Sequence, residues 1–184
     1  MTEYEKTVPS LDILKKIVSY NPYTGVISWL LRGVDLFPDA HARACFNARR
    51  PGRKIEPRAN GYVVVTFTMD GVIYNIQGHR LAYAMETGAW PTAEIDHENL
   101  DRGDNRFANL RDATHFQNNQ NKSKMKTNVS GFKGVHFHKG SGLWRAQITV
   151  GDNRKDLGLH ETPELAGAAY AAASKDLHGQ FSKV

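Results

Sequence analysis

Residues 95–121 read IDHENLDRGDNRFANLRDATHFQNNQN, and the rest of the chain is read outward from this run. Asp96 and His97 stand side by side, Asn109 follows twelve positions after His97, and Asn118 follows nine positions after Asn109. A carboxylate and an amide oxygen are hard ligands suited to Mg(II) or Mn(II). A neutral imidazole beside them can take a proton from water near pH 7. These are the groups that hydrolysis of a phosphodiester requires.

The local pattern predicts a short strand over Ala93–Asp96, a polar loop over Asn99–Asn109 containing Gly103 and Asp104, and a returning strand over Leu110–Ala113. Thr114 then opens a helix, with Gln117 placed to complete a capping box. Strand, loop, strand and helix would bring Asp96 and His97 against Asn118 in the first helical turns. Read singly, Asn109 is also an ordinary turn former, and NNQN a solvated helix start. The run HENLD is no zinc helix of the HExxH kind, because its second His is missing.

His97, Asn109 and Asn118, with Asp96 ahead of the His, resemble the HNH (ββα-metal) nuclease motif in its phage and intron homing form. The likeness runs through GHRLAYAMETGAWPTAEIDHENLDRGDNRFANLRDATHFQNNQN. It implies His97 as general base, Asp96 and Asn118 as metal ligands, and Asn109 as the residue that braces the loop and orients His97. His79, just ahead of the expected helix, has a counterpart in the family and is assigned a supporting role. The third member here is Asn where many relatives carry His, so an oxygen donor replaces an imidazole.

The 184 residues allow one large domain or two to three small ones, and a 40% hydrophobic content supports a modest core. The net charge of +5 and the pI of about 9.3 point to an anionic partner. The charge is concentrated. Residues 119–159 hold eight Lys and Arg against Asp152 and Asp156, and residues 42–59 hold six against Glu56. Cys45 is the single cysteine, which excludes a disulfide framework or a Cys-built zinc site within one chain. No stretch has membrane-spanning length, and a cytoplasmic location in a bacterial or phage-infected cell is expected.

Ahead of the central run, Ser10 is placed to cap a helix over Leu11–Val18, and a turn at Asn21–Gly25 leads into a strand over Val26–Leu31. SYNPYTGVISWLLRG resembles the N-terminal hairpin of many phage HNH proteins. Residues 33–60 are basic, interrupted by Pro38, Pro51 and Pro57, and are expected to be irregular, with Arg49, Arg50, Arg53, Lys54 and Arg58 able to track phosphates. Tyr62–Thr68 and Val72–Gln77 form a predicted hairpin about Asp70-Gly71. Arg80–Thr87 reads as a helix stopped by Gly88. Behind the run, QNKSKMKTNVS is a polar linker whose Lys122, Lys124 and Lys126 suit a phosphate backbone.

From Gly131 onward, three strands (FKGVHFHK, LWRAQITV and KDLGLH) precede one helix with Thr162 as cap and Pro163 at its first position. Leu165, Ala168, Ala169, Ala172 and Ala173 are the expected buried side. Trp144, Ala146, Ile148 and Val150 share one strand face, and Leu143, Arg145, Gln147 and Thr149 the other. The FKGV, W-x-A-x-I and AAYAAA elements make this segment resemble the plant ethylene-response-factor (APETALA-type) DNA-binding domain. That family lays its sheet in the major groove, which implies Lys133, His136, His138, Arg145, Gln147 and Arg154 as DNA contacts. The sequence departs from it at His136, His138, Thr149 and Asp156, so its base preference does not carry over.

The expectation is therefore an α+β chain. Residues 1–60 form an N-terminal helix, hairpin and basic segment; 61–121 an HNH nuclease domain of ββα-metal type; 122–130 a linker; and 131–184 a three-stranded antiparallel sheet packed on one helix. The expected function is metal-dependent HNH cleavage of double-stranded DNA, using Mg(II) or Mn(II) and nicking one strand per site. A non-cleaving, sequence-specific DNA-binding regulator is the alternative. Monomer and homodimer stay open.

Overall fold

A computed structural model describes residues 8–122 and 127–182. The chain divides into two compact units, Met1–Asp112 and Ala113–Val184. Each mixes helices with small antiparallel sheets, the α+β pattern expected from the sequence.

The first unit opens with α1 (Leu11–Ile17), where the Ser10 hydroxyl accepts from the Ile13 N–H. The helix stops one residue earlier than its apolar run suggests, because Val18 turns to extended backbone and starts β1 (Val18–Tyr20). Strand β2 (Ile27–Trp29) pairs with it, Val18 opposite Trp29. In the turn between them, the Asn21 side chain accepts from the N–H groups of Tyr23 and Thr24. Gly25 lies at φ +71, and a Cβ there would stand 2.5 Å from the Arg106 nitrogen. The hairpin tip therefore rests directly on the loop that follows His97.

Residues 33–60 are more ordered than their composition suggests. A single 3₁₀ turn (Val34–Leu36) precedes α2 (Ala40–Asn47), which Asp39 caps by accepting from the Ala42 N–H at 2.7 Å. Helix α2 buries none of its residues fully and has no apolar stripe, so periodicity gave no sign of it.

Strands β3 (Val64–Met69) and β4 (Val72–Gln77) form the expected hairpin. Asp70 and Gly71 both have positive φ, 51° and 75°, as a turn matched to the strand twist requires. Val63, Val65, Phe67 and Ile76 enter a core with Leu14, Ile17, Trp29 and Trp90. Helix α3 (Gly78–Thr87) follows without a gap and ends at Gly88 in the left-handed conformation. Its Leu81 and Ala84 face that core. Its Ala82 packs with Ile95 and Leu110 in a smaller cluster beneath the central run. That cluster seats β5 (Glu94–His97) and β6 (Leu110–Ala113), which pair as a two-stranded sheet.

The second unit contains α4 (His115–Asn121), whose Thr114–Gln117 capping box is fully formed. It also contains the sheet β7 (Val135–His138), β8 (Leu143–Val150) and β9 (Asn153–His160), and α5 (Pro163–His178). The order is β7-β8-β9, antiparallel, with a register shift between Arg145 and Gln147 that Gly158, at φ +100, helps β9 to follow.

The buried side of α5 differs from the alanine face expected. Ala166, Gly167, Tyr170, Ser174 and His178 are buried, while Leu165, Ala168 and Ala172 are exposed and Ala169 and Ala173 are half-buried. Polar groups satisfied within the core explain the rotation. The Ser174 hydroxyl lies 3.3 Å from His178 Nδ1, and His178 Nε2 donates to the Thr149 carbonyl at 3.0 Å. Gly167 lets the Phe132 ring approach, since a Cβ would stand 2.5 Å from it. No helix among the described residues is long and apolar enough to cross a membrane.

Candidate active site

The site begins at the end of β5, where Asp96 and His97 are 4% and 6% exposed. The loop from residue 98 to 109 is held by its own side chains. Asn109 Oδ1 accepts from the Asn99 N–H at 3.0 Å, and its Nδ2 donates to Asn99 Oδ1 at 3.0 Å and the Asp104 carbonyl at 2.8 Å. Asn99 Nδ2 donates to Asp104 Oδ2 at 2.7 Å, and the Arg106 guanidinium grips both oxygens of Asp104. Arg106 is the main cause that holds the Asp104 carboxyl down at about 2. Leu100 takes the left-handed conformation at φ +67, a strained choice for a residue with a Cβ, and its N–H donates to the His97 carbonyl. Asn109 thus fixes the loop that carries His97.

His97 Nε2 lies 3.2 Å from Asn105 Oδ1, in a buried contact. Asn105 is 1% exposed, and its carbonyl accepts from the Tyr20 hydroxyl at 2.9 Å. Burial lowers the pKa of His97; Asn105, Asp96, Asp101 and Asp104 pull the other way. The ring is neutral near pH 7. A neutral imidazole has one N–H donor and one lone pair, and the contact with Asn105 orients the ring that carries them.

His79 falls inside α3 rather than ahead of it. Its ring meets His97 edge-on at 5.1 Å between centroids, and Tyr62 packs on both. Burial, then His97 and Arg80, pushes His79 down to about 3, so it stays neutral. Its Nδ1 is buried without a partner. Arg80 donates to the carbonyls of Ala93 and Pro91, both at 2.9 Å, and so fixes the lead-in to β5.

Asp96 receives Arg111 Nε at 3.0 Å and Nη2 at 2.9 Å, both on Oδ2. Asn118 stands one turn into α4, half-buried, and belongs to the second unit. Among the described residues no three of His, Cys, Asp and Glu come together as a cage for a metal ion. Taken singly, the Asp96 carboxylate and the Asn118 amide oxygen are hard donors. Such donors suit an ion that keeps several waters and completes its shell with substrate phosphate, as Mg(II) does.

Sequence reading missed Asn105, Tyr62 and the engagement of Arg111. Asn105 lies in a run of turn formers, and nothing local marks it as a partner of His97. Of the three arginines near the motif, Arg106 is paired with Asp104, Arg111 with Asp96, and Arg102 lies over Tyr62 while donating to the Asn60 carbonyl.

In the second unit, register sets His136 beside Arg145, His138 beside Leu143, Gln147 beside Asp156 and Thr149 beside Arg154. Arg145 Nε donates to Asp156 Oδ2 at 3.0 Å. Lys133 is turned inward: its Nζ donates to the Gln120 carbonyl at 2.5 Å, and burial lowers its pKa. Lys122 donates to Asn119 Oδ1 at 2.6 Å. Lys124 and Lys126 lie outside the described residues.

Residues 77–120 match the HNH endonuclease family, which suggests a nuclease domain of the HNH type in that stretch. Such domains imply DNA as substrate and generally use a divalent metal ion. Protein 3.8 of Escherichia phage T7 is 29% identical over 89 residues, covering 48% of this chain and 73% of the phage protein. The family match does not extend to residues 131–184. No solved structure matches the chain.

Proposed function

We propose that this chain is a metal-dependent DNA endonuclease of the homing HNH type, with a ββα-metal core, that nicks double-stranded DNA. The observation that carries the reading is His97, buried, neutral and held by Asn105, next to Asp96 at the end of β5. His97 takes a proton from water at its unprotonated ring nitrogen. The water oxygen bonds to phosphorus as the bond from phosphorus to the 3′ oxygen breaks. Asp96 and Asn118 would hold Mg(II) or Mn(II), which supplies stabilisation of the charge developing on the phosphate and the leaving oxygen. Asn109 acts by bracing the loop.

The three-stranded sheet is the proposed DNA-reading module, as its ethylene-response-factor likeness implies. His136, His138, Arg145, Gln147 and Arg154 lie on its strands, and Lys122, Lys124, Lys126 and Lys133 on or next to the linker. Arg145 and Gln147 have the side chains to pair bidentately with guanine and adenine edges. One site per chain cuts one strand, so a double-strand break needs a dimer or two events.

The Asp96–Arg111 pair favours one second reading, a non-cleaving DNA-binding regulator, because a guanidinium already neutralises the proposed metal ligand. Plasmid nicking with and without EDTA, on wild type and His97→Ala, separates the two. Tight binding by wild type with no nicking in Mg(II) or Mn(II) would establish the regulator. A chain lacking residues 131–184 should still nick concentrated plasmid while losing site selection; full retention of sequence preference would refute the reading module.

A further inference from the structure

Arg32 is a buried cation for which the nuclease site has no use. It is 5% exposed, and its guanidinium carbon stands 4.0 Å from the ring centre of Phe46, 4.9 Å from Trp29, 5.5 Å from Phe67 and 5.7 Å from Phe37. Asn47 clamps its backbone from both sides, accepting from the Arg32 N–H at 3.1 Å and donating to its carbonyl at 3.0 Å. The backbone that carries the side chain is therefore fixed. Four ring faces offset part of the lost hydration, but they offer no in-plane acceptor. Nε and Nη2 are buried without a partner, and among the described residues no carboxylate pairs with Arg32.

The surroundings add positive charge rather than cancel it. The Arg50 N–H donates to the Phe46 carbonyl at 2.9 Å, and Arg50 itself is exposed and, among the described residues, pairs with no acid. The Trp29 N–H donates to the Arg53 carbonyl at 3.0 Å, which ties the Arg53 backbone to β2. Burial, then Arg50, draws Arg32 down to about 10, so it stays charged at neutral pH. A buried charge with no counter-ion is unfavourable, and an arriving oxyanion supplies both the missing charge and the missing acceptors.

We infer that Arg32 and Arg50 form a phosphodiester-binding site on the first unit, separate from the His97 centre, that seats one phosphate of the DNA backbone. The run of Arg49, Arg50, Arg53, Lys54 and Arg58 favours a polyanion over a lone carboxylate. The inference rests on DNA as the partner and does not require cleavage.

The test measures binding of a 30-base-pair duplex in EDTA across salt concentration, with full-length wild type, Arg32→Met and Arg50→Ala. Each phosphate contact contributes about 0.9 to the slope of log affinity against log salt. Arg32→Met should melt at or above wild type, since an apolar side chain replaces an uncompensated charge, while its slope falls by about 0.9. Arg50→Ala should lower the slope similarly. A folded Arg32→Met with lower melting temperature and unchanged slope would show a core plug and overturn the site. If Arg32→Met does not fold, Arg50→Ala decides alone, and an unchanged slope sinks the idea. Stabilisation of wild type by inorganic phosphate, with unchanged duplex slopes in both variants, would assign the site to a small anion instead. Lower slopes without nicking would support the site and refute the nuclease, whereas nicking with unchanged slopes would do the reverse.

Discussion

Asn105 Oδ1 sits 3.2 Å from His97 Nε2, with both side chains buried, and this contact orients the His97 ring. Asn105→Ala removes the contact and lets the ring rotate. Loss of a general base costs about 10²–10⁴ in rate. Asn105→Ala should therefore slow single-turnover nicking by about tenfold or more, but less than His97→Ala does. Because burial lowers the pKa of His97, the acid limb of the pH–rate profile should fall below the ordinary imidazole value. Equal rates for Asn105→Ala and wild type would refute the positioning role.

His79 makes a separate prediction about stability. It is depressed to about 3 when folded, against an ordinary value of 6.5. Between those values the unfolded chain binds more protons than the folded one, so folding stability rises with pH through this window. The contribution is complete above the unfolded value and is lost on acidification toward the folded one. Each pH unit in the window carries at most about 1.4 kcal/mol for one group. Chemical denaturation of wild type should show a steep loss between roughly pH 6 and pH 4. His79→Gln should flatten that slope, and an unchanged slope would mean that His79 is not the group responsible.

The Arg111–Asp96 pair is nearly enclosed, with side chains 15% and 5% exposed. Breaking a buried pair by removing one partner costs about 3–5 kcal/mol, because the other charge is left uncompensated. Arg111→Met should lower the melting temperature and make Mn(II) stabilise the variant more than it stabilises wild type, since the ion takes over the role of counter-charge. Mn(II) shifts of the same size in both proteins would remove Asp96 from the metal site.

Gly25 tests whether the N-terminal hairpin props the active loop. Gly25 and Gly52 have similar φ, +71 and +77, so an alanine at either incurs comparable backbone strain of about 1–3 kcal/mol. Only at Gly25 does the added Cβ collide with the loop, 2.5 Å from the Arg106 nitrogen and 2.7 Å from the Asn105 carbonyl carbon. Gly25→Ala should therefore lose nicking well beyond its loss of stability, and Gly52→Ala should not. Parallel effects in the two variants would show that the contact does not position His97.

The difference between what was legible and what was not follows from the range of the interactions. Thr114 with Gln117, Asp70 with Gly71, and Thr162 with Pro163 act within four residues, and each formed the local structure its spacing predicts. The β3–β4 alternation and the motif around His97 are local in the same sense. Helix α2 escaped because Asp39 caps it but no apolar stripe announces it. The α5 face escaped because Ser174 and His178 become core residues only once Thr149 and Ser182 satisfy them. Asn105 on His97 and Arg111 on Asp96 escaped for a related reason. Their partners are fixed by how the loop closes, which no periodicity encodes.

Arg145 and Asp156 give the last prediction, on the sheet proposed to read DNA. Arg145 is held by a carboxylate that its cation keeps at about 2, so the pair stays fully ionised at neutral pH. An arginine engaged this way is oriented but partly neutralised for a nucleic acid. Asp156→Ala should strengthen duplex binding at low salt and steepen its salt dependence by about one unit, as one cation becomes available to phosphate. Arg145→Ala should instead relax base preference, with a loss of about 1–3 kcal/mol at a preferred base pair if Arg145 reads an edge. Binding measured on a preferred and a scrambled duplex distinguishes the two effects. If Arg145→Ala weakens both duplexes equally, Arg145 touches only the backbone, and sequence reading belongs elsewhere in the chain.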